Sequence, residues 1–394
     1  MKIHLKTLLF LFIAVAMAGV FTGCSEDDDL PNGGKPMVSY IRVTRPSSSD
    51  SLITKAGQGS MIAIVGQNLQ NTREIWFNDQ EAFLSPTLIT NTTVITRVPS
   101  NIPLEISNKM RIIFTNGEEL IHDFTVDISE PRIDRMQSEY VNTGDVATIV
   151  GDFFYEPLTV TFTGGAQGEI VSISRDYKTL EVTVPAGAQP GPITISSNFG
   201  ATESDFWFRD NRNVIASFDE PGLLATTSGL WHGPNYIRDN DAAIKPVNGK
   251  YLRINQNLAA WAWYETYVGP NNSAAALETK NIPADAFANP GKYSLKFEIN
   301  TLADLTGAHY RMHMGPGDIA SLRGNVFYNW QVNNINTDGT WRTVTLPWED
   351  FWKANGSFAY TPSGYGVSFH FSGPNPVNAN FALDNMRVVP TMNP

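Results

Sequence analysis

The residues in this sequence whose types and spacing could do chemistry are aromatic rather than nucleophilic or metal-binding. No Gly-x-Ser-x-Gly elbow, Gly-Lys-Ser/Thr phosphate loop or His-Glu-x-x-His zinc helix occurs in it. Cys24 is the single cysteine, and its position near the N-terminus argues against a thiol nucleophile. His309 and His313 have the spacing of a helical metal pair, but Ala308-His309-Tyr310-Arg311-Met312-His313-Met314 alternates like a strand. Four strand residues separate side chains by about 13 Å, too far for one metal ion. A glycosidase would need two carboxylates roughly 5 to 10 Å apart. Glu265, Glu278, Glu298, Asp350 and Asp384 qualify by type, yet nothing around them marks an acid and a nucleophile. Asp219, Glu220 and Asp384 could hold calcium between a first and a last strand. Calcium takes about six to eight oxygens, and no loop in the sequence supplies them, so no metal or other cofactor is expected.

Flat indole and phenol rings stack on the apolar C–H faces of pyranose sugars, while Asn, Gln, Asp and Arg bind the hydroxyls. Ala260-Trp261-Ala262-Trp263-Tyr264-Glu265, read as a strand, puts Trp261 and Trp263 on one face roughly 6.6 Å apart, near the size of one sugar ring. Tyr264 then points to the other face unless the strand bulges or ends there. Either the tryptophans face solvent over a core-facing alanine set, or they face the core and leave the alanines wet. Trp231 lies in Gly229-Leu230-Trp231-His232-Gly233-Pro234, a Gly- and Pro-bounded segment that suits a loop. Trp231, Trp261, Trp263 and Tyr264 are the candidate ligand-binding rings, with Trp330 as a further candidate. Trp341, Trp348 and Trp352 read as packing.

The elements that must position these rings are strands. Short runs rich in Val, Ile, Thr and aromatics recur between Gly, Pro, Asn and Asp, and helical periodicity is nearly absent, with Pro283 to Ala288 the best helix candidate. An internal repeat organises the first half. Gly59-Ser60-Met61-Ile62-Ala63-Ile64-Val65-Gly66 corresponds to Gly144-Asp145-Val146-Ala147-Thr148-Ile149-Val150-Gly151 at an offset of 85 residues. Val98-Pro99 then matches Val184-Pro185, and Asn116-Gly117 matches Phe199-Gly200. A buried strand that starts and stops at glycine, followed by Val-Pro and a late Gly turn, resembles the immunoglobulin-like IPT/TIG fold. Residues 37–128 and 130–210 are therefore expected to be two tandem β-sandwiches. Seven of the nine tryptophans fall after residue 211. That last block opens with Val214-Ile215-Ala216-Ser217-Phe218-Asp219 and closes with Phe381-Ala382-Leu383-Asp384-Asn385-Met386, and both ends resemble the outer strands of carbohydrate-binding jelly rolls.

At the N-terminus, Lys2 and Lys6 precede an uncharged apolar run from Leu8 to Val20, too short to span a bilayer comfortably. The run ends in Phe21-Thr22-Gly23-Cys24, which resembles a relaxed lipobox, and Ser25-Glu26-Asp27-Asp28-Asp29 follows as an acidic linker. Residues 1–23 read as a signal peptide, Cys24 as the lipidated residue and 24–36 as linker. Acyl chains contribute roughly 0.8 kcal/mol per buried methylene, so several chains make a stable anchor. Removing residues 1–23 takes away Lys2 and Lys6 and no acid, so the net charge moves from −11 to −13. That charge argues against nucleic-acid binding, which needs clustered Lys and Arg, and less strongly against a polyanionic ligand.

Taken together, the chain resembles the surface glycan-binding lipoproteins of Bacteroidota polysaccharide-utilisation loci. The resemblance covers lipobox, acidic export tag, tandem IPT/TIG spacers and a C-terminal jelly roll similar to a xyloglucan-binding domain. It implies an all-β chain, with two immunoglobulin-like sandwiches followed by a larger jelly-roll sandwich over 211–394. It also implies a non-catalytic role: capture of a β-glucan-type polysaccharide, xyloglucan or mixed-linkage glucan, by aromatics early in the last domain. Trp231 and Trp261-Ala262-Trp263-Tyr264 occupy that region. The implied setting is the outer face of the outer membrane beside a SusC/SusD-like transporter. Two other classes stay open, a glycoside hydrolase on the same sandwich and a surface adhesin for a protein partner.

Overall fold

The computed structural model describes residues 34–45, 47, 50–219, 237–269, 279–316, 326–332 and 335–391, with 266–269 as backbone only. The chain forms two compact units that divide between Ile128 and Ser129. Among the described residues no helix is long and apolar enough to cross a membrane.

The first unit packs an antiparallel sheet of Met37–Val43, Met61–Gln67 and Thr93–Arg97 over a second sheet of Gln80–Glu81, Thr72–Phe77, Lys109–Phe114 and Glu119–Asp123. Alternate residues from both sheets, Ile62, Ile64, Ile75, Phe77, Met110, Ile112 and Phe114, meet in one apolar core. In the second unit, residues 132–203 repeat this construction. Its strands run in the order Arg132–Met136, Val146–Asp152, Thr179–Thr183, Gln167–Ile173, Leu158–Phe162, Ile193–Ser197 and Gly200–Glu203. They close over Phe154, Val160, Phe162, Leu180, Val182, Ile193, Ile195 and Phe208.

The paired glycines of the sequence repeat do two different jobs. Gly59 and Gly144 adopt φ of +72° and +84°, a conformation that only glycine takes cheaply. Each donates its N–H at 2.9 Å to the valine of its Val-Pro pair, Val98 or Val184. Gly66 and Gly151 act through space instead. A Cβ there would lie 1.9 Å from the carbonyl oxygen of Met37 or Arg132, where the neighbouring strand bulges at Val38/Tyr40 or Ile133/Arg135. The same steric demand, met twice in one chain, accounts for the repeat's second glycine.

The rest of the second unit is a jelly roll of two sheets. Its six-stranded sheet runs Ile237–Arg238, Tyr251–Leu258, Val377–Pro390, Tyr293–Thr301 and Trp341–Pro347, with Val214–Ala216 paired to Val377–Pro390. Its four-stranded sheet runs Tyr264–Gly269, Gly366–Ser372, Ala308–Gly315 and Tyr328–Val332. Leu295, Phe297, Ile299, Phe381 and Leu383 from one sheet meet Tyr310, Met312, Phe369 and Phe371 from the other in a single core. The short helix expected near Pro283 covers Asp285–Ala288. Trp348–Ala354 forms a second, one that the strand pattern of the sequence did not reveal, burying Trp348 and Phe351.

The preceding sandwich grips the outer face of the six-stranded sheet. Ser138 donates to Glu298 at 2.8 Å, and Arg387 donates to both Glu139 at 2.6 Å and Glu298 at 3.1 Å. Lys296 bonds the other oxygen of Glu139 at 2.5 Å, and Thr343 accepts the Glu139 N–H at 2.7 Å while donating to Glu298 at 2.9 Å. Charge-assisted bonds of this kind are among the strongest available. Burial raises the Glu298 pKa, an effect that Arg387 opposes. Lys245 with Asp145 at 2.6 Å and Asn142 with the Pro246 carbonyl at 2.9 Å extend the contact.

Candidate functional site

The strand Tyr251–Leu258 ends in a tight turn rather than running on through the tryptophans. Ala262 N–H bonds the Ala259 carbonyl at 3.1 Å, and Trp261 N–H bonds the Gly373 carbonyl at 2.7 Å. Trp261 itself sits at φ +56°, a left-handed conformation that costs a residue with a Cβ about 1–2 kcal/mol. Such strain persists where the surroundings fix it, and it clusters at ligand clamps and active sites. The expected single strand face for Trp261 and Trp263 is thereby corrected: both precede the next strand, which begins at Tyr264.

Both indoles remain in solvent, Trp261 at 59% and Trp263 at 53% exposure. Each is backed by a histidine of the four-stranded sheet. Trp263 stacks on His370 with centroids 4.0 Å apart and planes inclined by 28°, so the histidine covers one face of its indole. Trp261 meets His309 edge-to-face at 5.9 Å. Burial, reinforced by the charges of Arg311 and His313, lowers the His370 pKa to about 4, with a weaker opposing pull from the Ala262 backbone. The ring under Trp263 is therefore neutral at ordinary pH.

Strand alternation arranges the remaining side chains into rows. Glu265, His370, Arg311 and Asn329 are successive register partners across the outer face, with Ser372, His309 and Gln331 as the next row. Asn329 and Gln331 are exposed, Arg311 is half-buried with its guanidinium 4.9 Å from the Phe327 ring, and Glu265 is buried. The inner face carries Tyr264, Phe371, Tyr310 and Trp330 in the same register. This places Tyr264 (9% exposed) and Trp330 (9%) in the core. The grouping of Tyr264 with the ligand-facing rings is accordingly corrected; it points inward, on the opposite side of the strand from Glu265. Trp231 lies outside the described residues, as do Glu220 and Glu278. Trp348 is fully buried with its indole N–H on the Ala286 carbonyl, and Trp341 packs on Tyr251.

Of the candidate carboxylates among the described residues, Glu298 belongs to the contact with the preceding sandwich and Asp384 is buried on that same sheet face. His309 and His313 have separate neighbours, Trp261 for one and the Val326 carbonyl at 2.8 Å for the other. Among the described residues no three His, Cys, Asp or Glu side chains converge as metal ligands. His309, Arg311 and His370, the polar floor beneath the indoles, were missed in the sequence. Their signal was present in the alternation His309-Arg311-His313 and Ser368-His370-Ser372 between aromatic residues.

A platform of half-exposed indoles on one sheet of a jelly roll, with polar side chains around it, suits a sugar ring. Residues 208–390 match the sequence profile of the surface glycan-binding protein B xyloglucan-binding domain. The C-terminal domain is similar to that family. An IPT/TIG domain-containing protein of Bacteroides ovatus is 33% identical over 268 residues, covering 63% of this chain and 53% of the relative. The chain thus spans about half the length of that relative. The structure of surface glycan-binding protein B from Prevotella bryantii is 25% identical, with a TM-score of 0.64, over 91% of this chain and 99% of the other. A surface glycan-binding protein B from a complex xyloglucan utilisation locus in Bacteroides uniformis has a TM-score of 0.51 at 17% identity, over 91% and 100% of the two chains. The all-β class expected from the sequence is that of this family, whose members are surface proteins.

Proposed function

We propose that this protein is a non-catalytic, cell-surface receptor for a neutral β-glucan-type polysaccharide, xyloglucan or mixed-linkage glucan. The observation that carries the reading is the pair Trp261 and Trp263. Two large apolar rings are kept in water, one on strained backbone and the other stacked on a buried neutral histidine. Burying an indole is ordinarily favourable, so holding both outside points to a partner that covers them. The family match and the similarity to glycan-binding relatives support the same reading.

Trp261 and Trp263 stack on successive sugar faces, and the sheet's exposed Asn329 and Gln331 meet the hydroxyls. Trp231 joins them on the strength of its position in the sequence. Cys24 carries the lipid that anchors the protein in the outer membrane, and the glycan is handed to a SusC/SusD-like transporter. Weak single-site affinity suffices there, because a repeating ligand and a tethered receptor keep the local concentration high. Native gels containing xyloglucan, mixed-linkage glucan or an unrelated polysaccharide test the reading: the first two should retard the protein. Equal mobility in all of them, or release of reducing ends from β-glucan by the purified protein, excludes it. Loss of radiolabelled palmitate incorporation in Cys24→Ala tests the anchor.

A further inference from the structure

The sandwich of residues 132–203 carries, at its end away from the jelly roll, aromatic rings that its fold does not demand. The first sandwich shows this, because the repeat builds the same backbone in both. Leu69 N–H bonds the Asn91 carbonyl at 2.9 Å in one, and Phe154 N–H bonds the Tyr177 carbonyl at 3.1 Å in the other. The preceding residues, Asn68 and Phe153, share a left-handed φ of +59° and +61°. Asn68, Gln70 and Asn91 therefore stand where the second copy has Phe153, Tyr155 and Tyr177. Three amides are replaced by three rings.

Asparagine tolerates the left-handed region, whereas a bulky ring there is an outlier. Tyr177 adopts it as well, at +58°. Backbone strain of this kind collects at ligand clamps, as it does under Trp261. The rings meet on Tyr155, with centroid distances of 6.1 Å to Phe153, 4.9 Å to Tyr177 and 6.0 Å to Phe199 on the following turn. None of the four is buried, and Tyr177 is 42% exposed. The sandwich core closes on Phe154 beneath them and includes none of them.

Polar groups edge the patch. Asp152 accepts the Phe153 N–H at 2.9 Å and lies 3.8 Å from the Arg132 guanidinium. Burial and, after it, the Asp152 charge raise the Tyr155 pKa, so its phenol stays neutral. Rings edged by a carboxylate, a guanidinium and phenol hydroxyls match a sugar, which offers apolar C–H faces and a rim of hydroxyls.

We propose that Phe153, Tyr155 and Tyr177 form a second sugar-binding site, which takes another stretch of the same neutral polysaccharide that the indoles hold. The proposal rests on the receptor reading above. Val146–Asp152 runs from beside Asp145, which bonds Lys245 of the jelly roll, to this patch, so a strand length of about 20 Å separates it from the joint. Both sites lie in the compact unit Ser129–Pro394. A polymer offers rings to both, and two contacts on one chain multiply retention, while a short oligosaccharide gains nothing from the second.

The test puts the first sandwich's residues into the second, in the full chain: Phe153→Asn, Tyr155→Gln and Tyr177→Asn together. The repeat already holds those residues on this backbone, so Tm should stay within about 3 °C of the wild type. Affinity gels containing the glucan that retards the wild type should retain the triple variant about tenfold less. Calorimetry with a tetrasaccharide cut from that glucan should give an unchanged Kd. Polymer retention equal to the wild type's overturns the second site and leaves the receptor reading standing. A weakened tetrasaccharide Kd also overturns it, since the change then acts through the indole platform. Should the triple variant melt much lower, Tyr177→Asn alone, at the most exposed ring, should weaken polymer retention about threefold; no change there overturns the proposal. A wild type that no glucan retards fails the receptor reading itself, and the second site with it.

Discussion

The two outer faces of the jelly roll are built alike and finished differently. Each is a strand-alternated row of polar side chains over one shared aromatic core. On the six-stranded sheet, Glu298 and Arg387 are sealed beneath the preceding sandwich, which supplies Ser138 and Glu139 as partners. On the four-stranded sheet, His370 and the Nε of Arg311 are buried, the latter without a hydrogen-bond partner, and what lies above them is Trp263 and Trp261, half in water. Polar burial thus serves two purposes in one domain. Where partners come from the chain itself the face is a joint; where large rings stand exposed it is the face proposed for the glycan.

Substitutions should separate the two faces, and the largest effect belongs to the joint. Arg387→Ala leaves Glu298 without its cation and Glu139 with Lys296 alone, a change that typically costs about 3–5 kcal/mol. Calorimetry should show a fall in Tm of about 10 °C or more, with glycan retention per folded molecule unchanged. Trp263→Ala should do the converse. Retention by β-glucan in affinity gels should weaken about a hundredfold, the scale of a stacked hot-spot ring, while Tm moves by no more than about 2 °C because the side chain is half exposed. A large loss of stability in that variant would make Trp263 a packing residue and erase the contrast.

Trp261 allows a finer cut. Trp261→Gly and Trp261→Ala should both weaken binding, but only glycine relieves the left-handed backbone. The glycine variant should melt a few degrees above the alanine one, for a gain of about 1 kcal/mol. The pH dependence is smaller again. His370 titrates near 4 in the folded protein and near 6.5 when unfolded, so between these values the unfolded chain binds the extra proton. Its contribution to stability is therefore complete above about pH 6.5 and falls away as pH drops toward 4. Wild type should lose more stability over that window than His370→Gln, as read by chemical denaturation at pH 4.5 and 7. Salt should matter least: retention on a neutral glucan should stay nearly constant from 50 to 500 mM NaCl, and a steep decline would indicate an anionic glycan read by Arg311.

The sequence disclosed whatever depends on neighbours along the chain. The repeat was legible because Gly59/Gly144 and Gly66/Gly151 answer local demands of backbone conformation and space. The alanines beside Trp261 and Trp263 left both orientations open, and only the fold shows the two indoles in solvent. The inward side of Tyr264 followed from alternation, which set it opposite the tryptophans; counting it among the ligand-facing rings assumed a bulge or strand end that turns it outward, and the strand instead begins at Tyr264 with its side chain in the core. The joint was invisible for another reason. Glu139 and Arg387 are 248 positions apart and each looks like an ordinary strand or loop residue; only the folded chain makes them partners. His370 was hidden similarly, since its aromatic neighbour Trp263 sits on a different segment.

The grip of Glu139 on Arg387 and Lys296 has a mechanical consequence. A polymer held on the indoles as proposed, and drawn away from them, would load the jelly roll, and that load would cross to the preceding sandwich. The peptide at Asp210–Asn213 is one route. Beside it run the Ser138–Glu298, Glu139–Arg387, Glu139–Lys296 and Asn142–Pro246 bonds and the Thr343 N–H to Gln137 carbonyl bond at 2.9 Å. Links in parallel share tension, so rupture requires several to fail together, and the two sandwiches take a pull as one stiff piece.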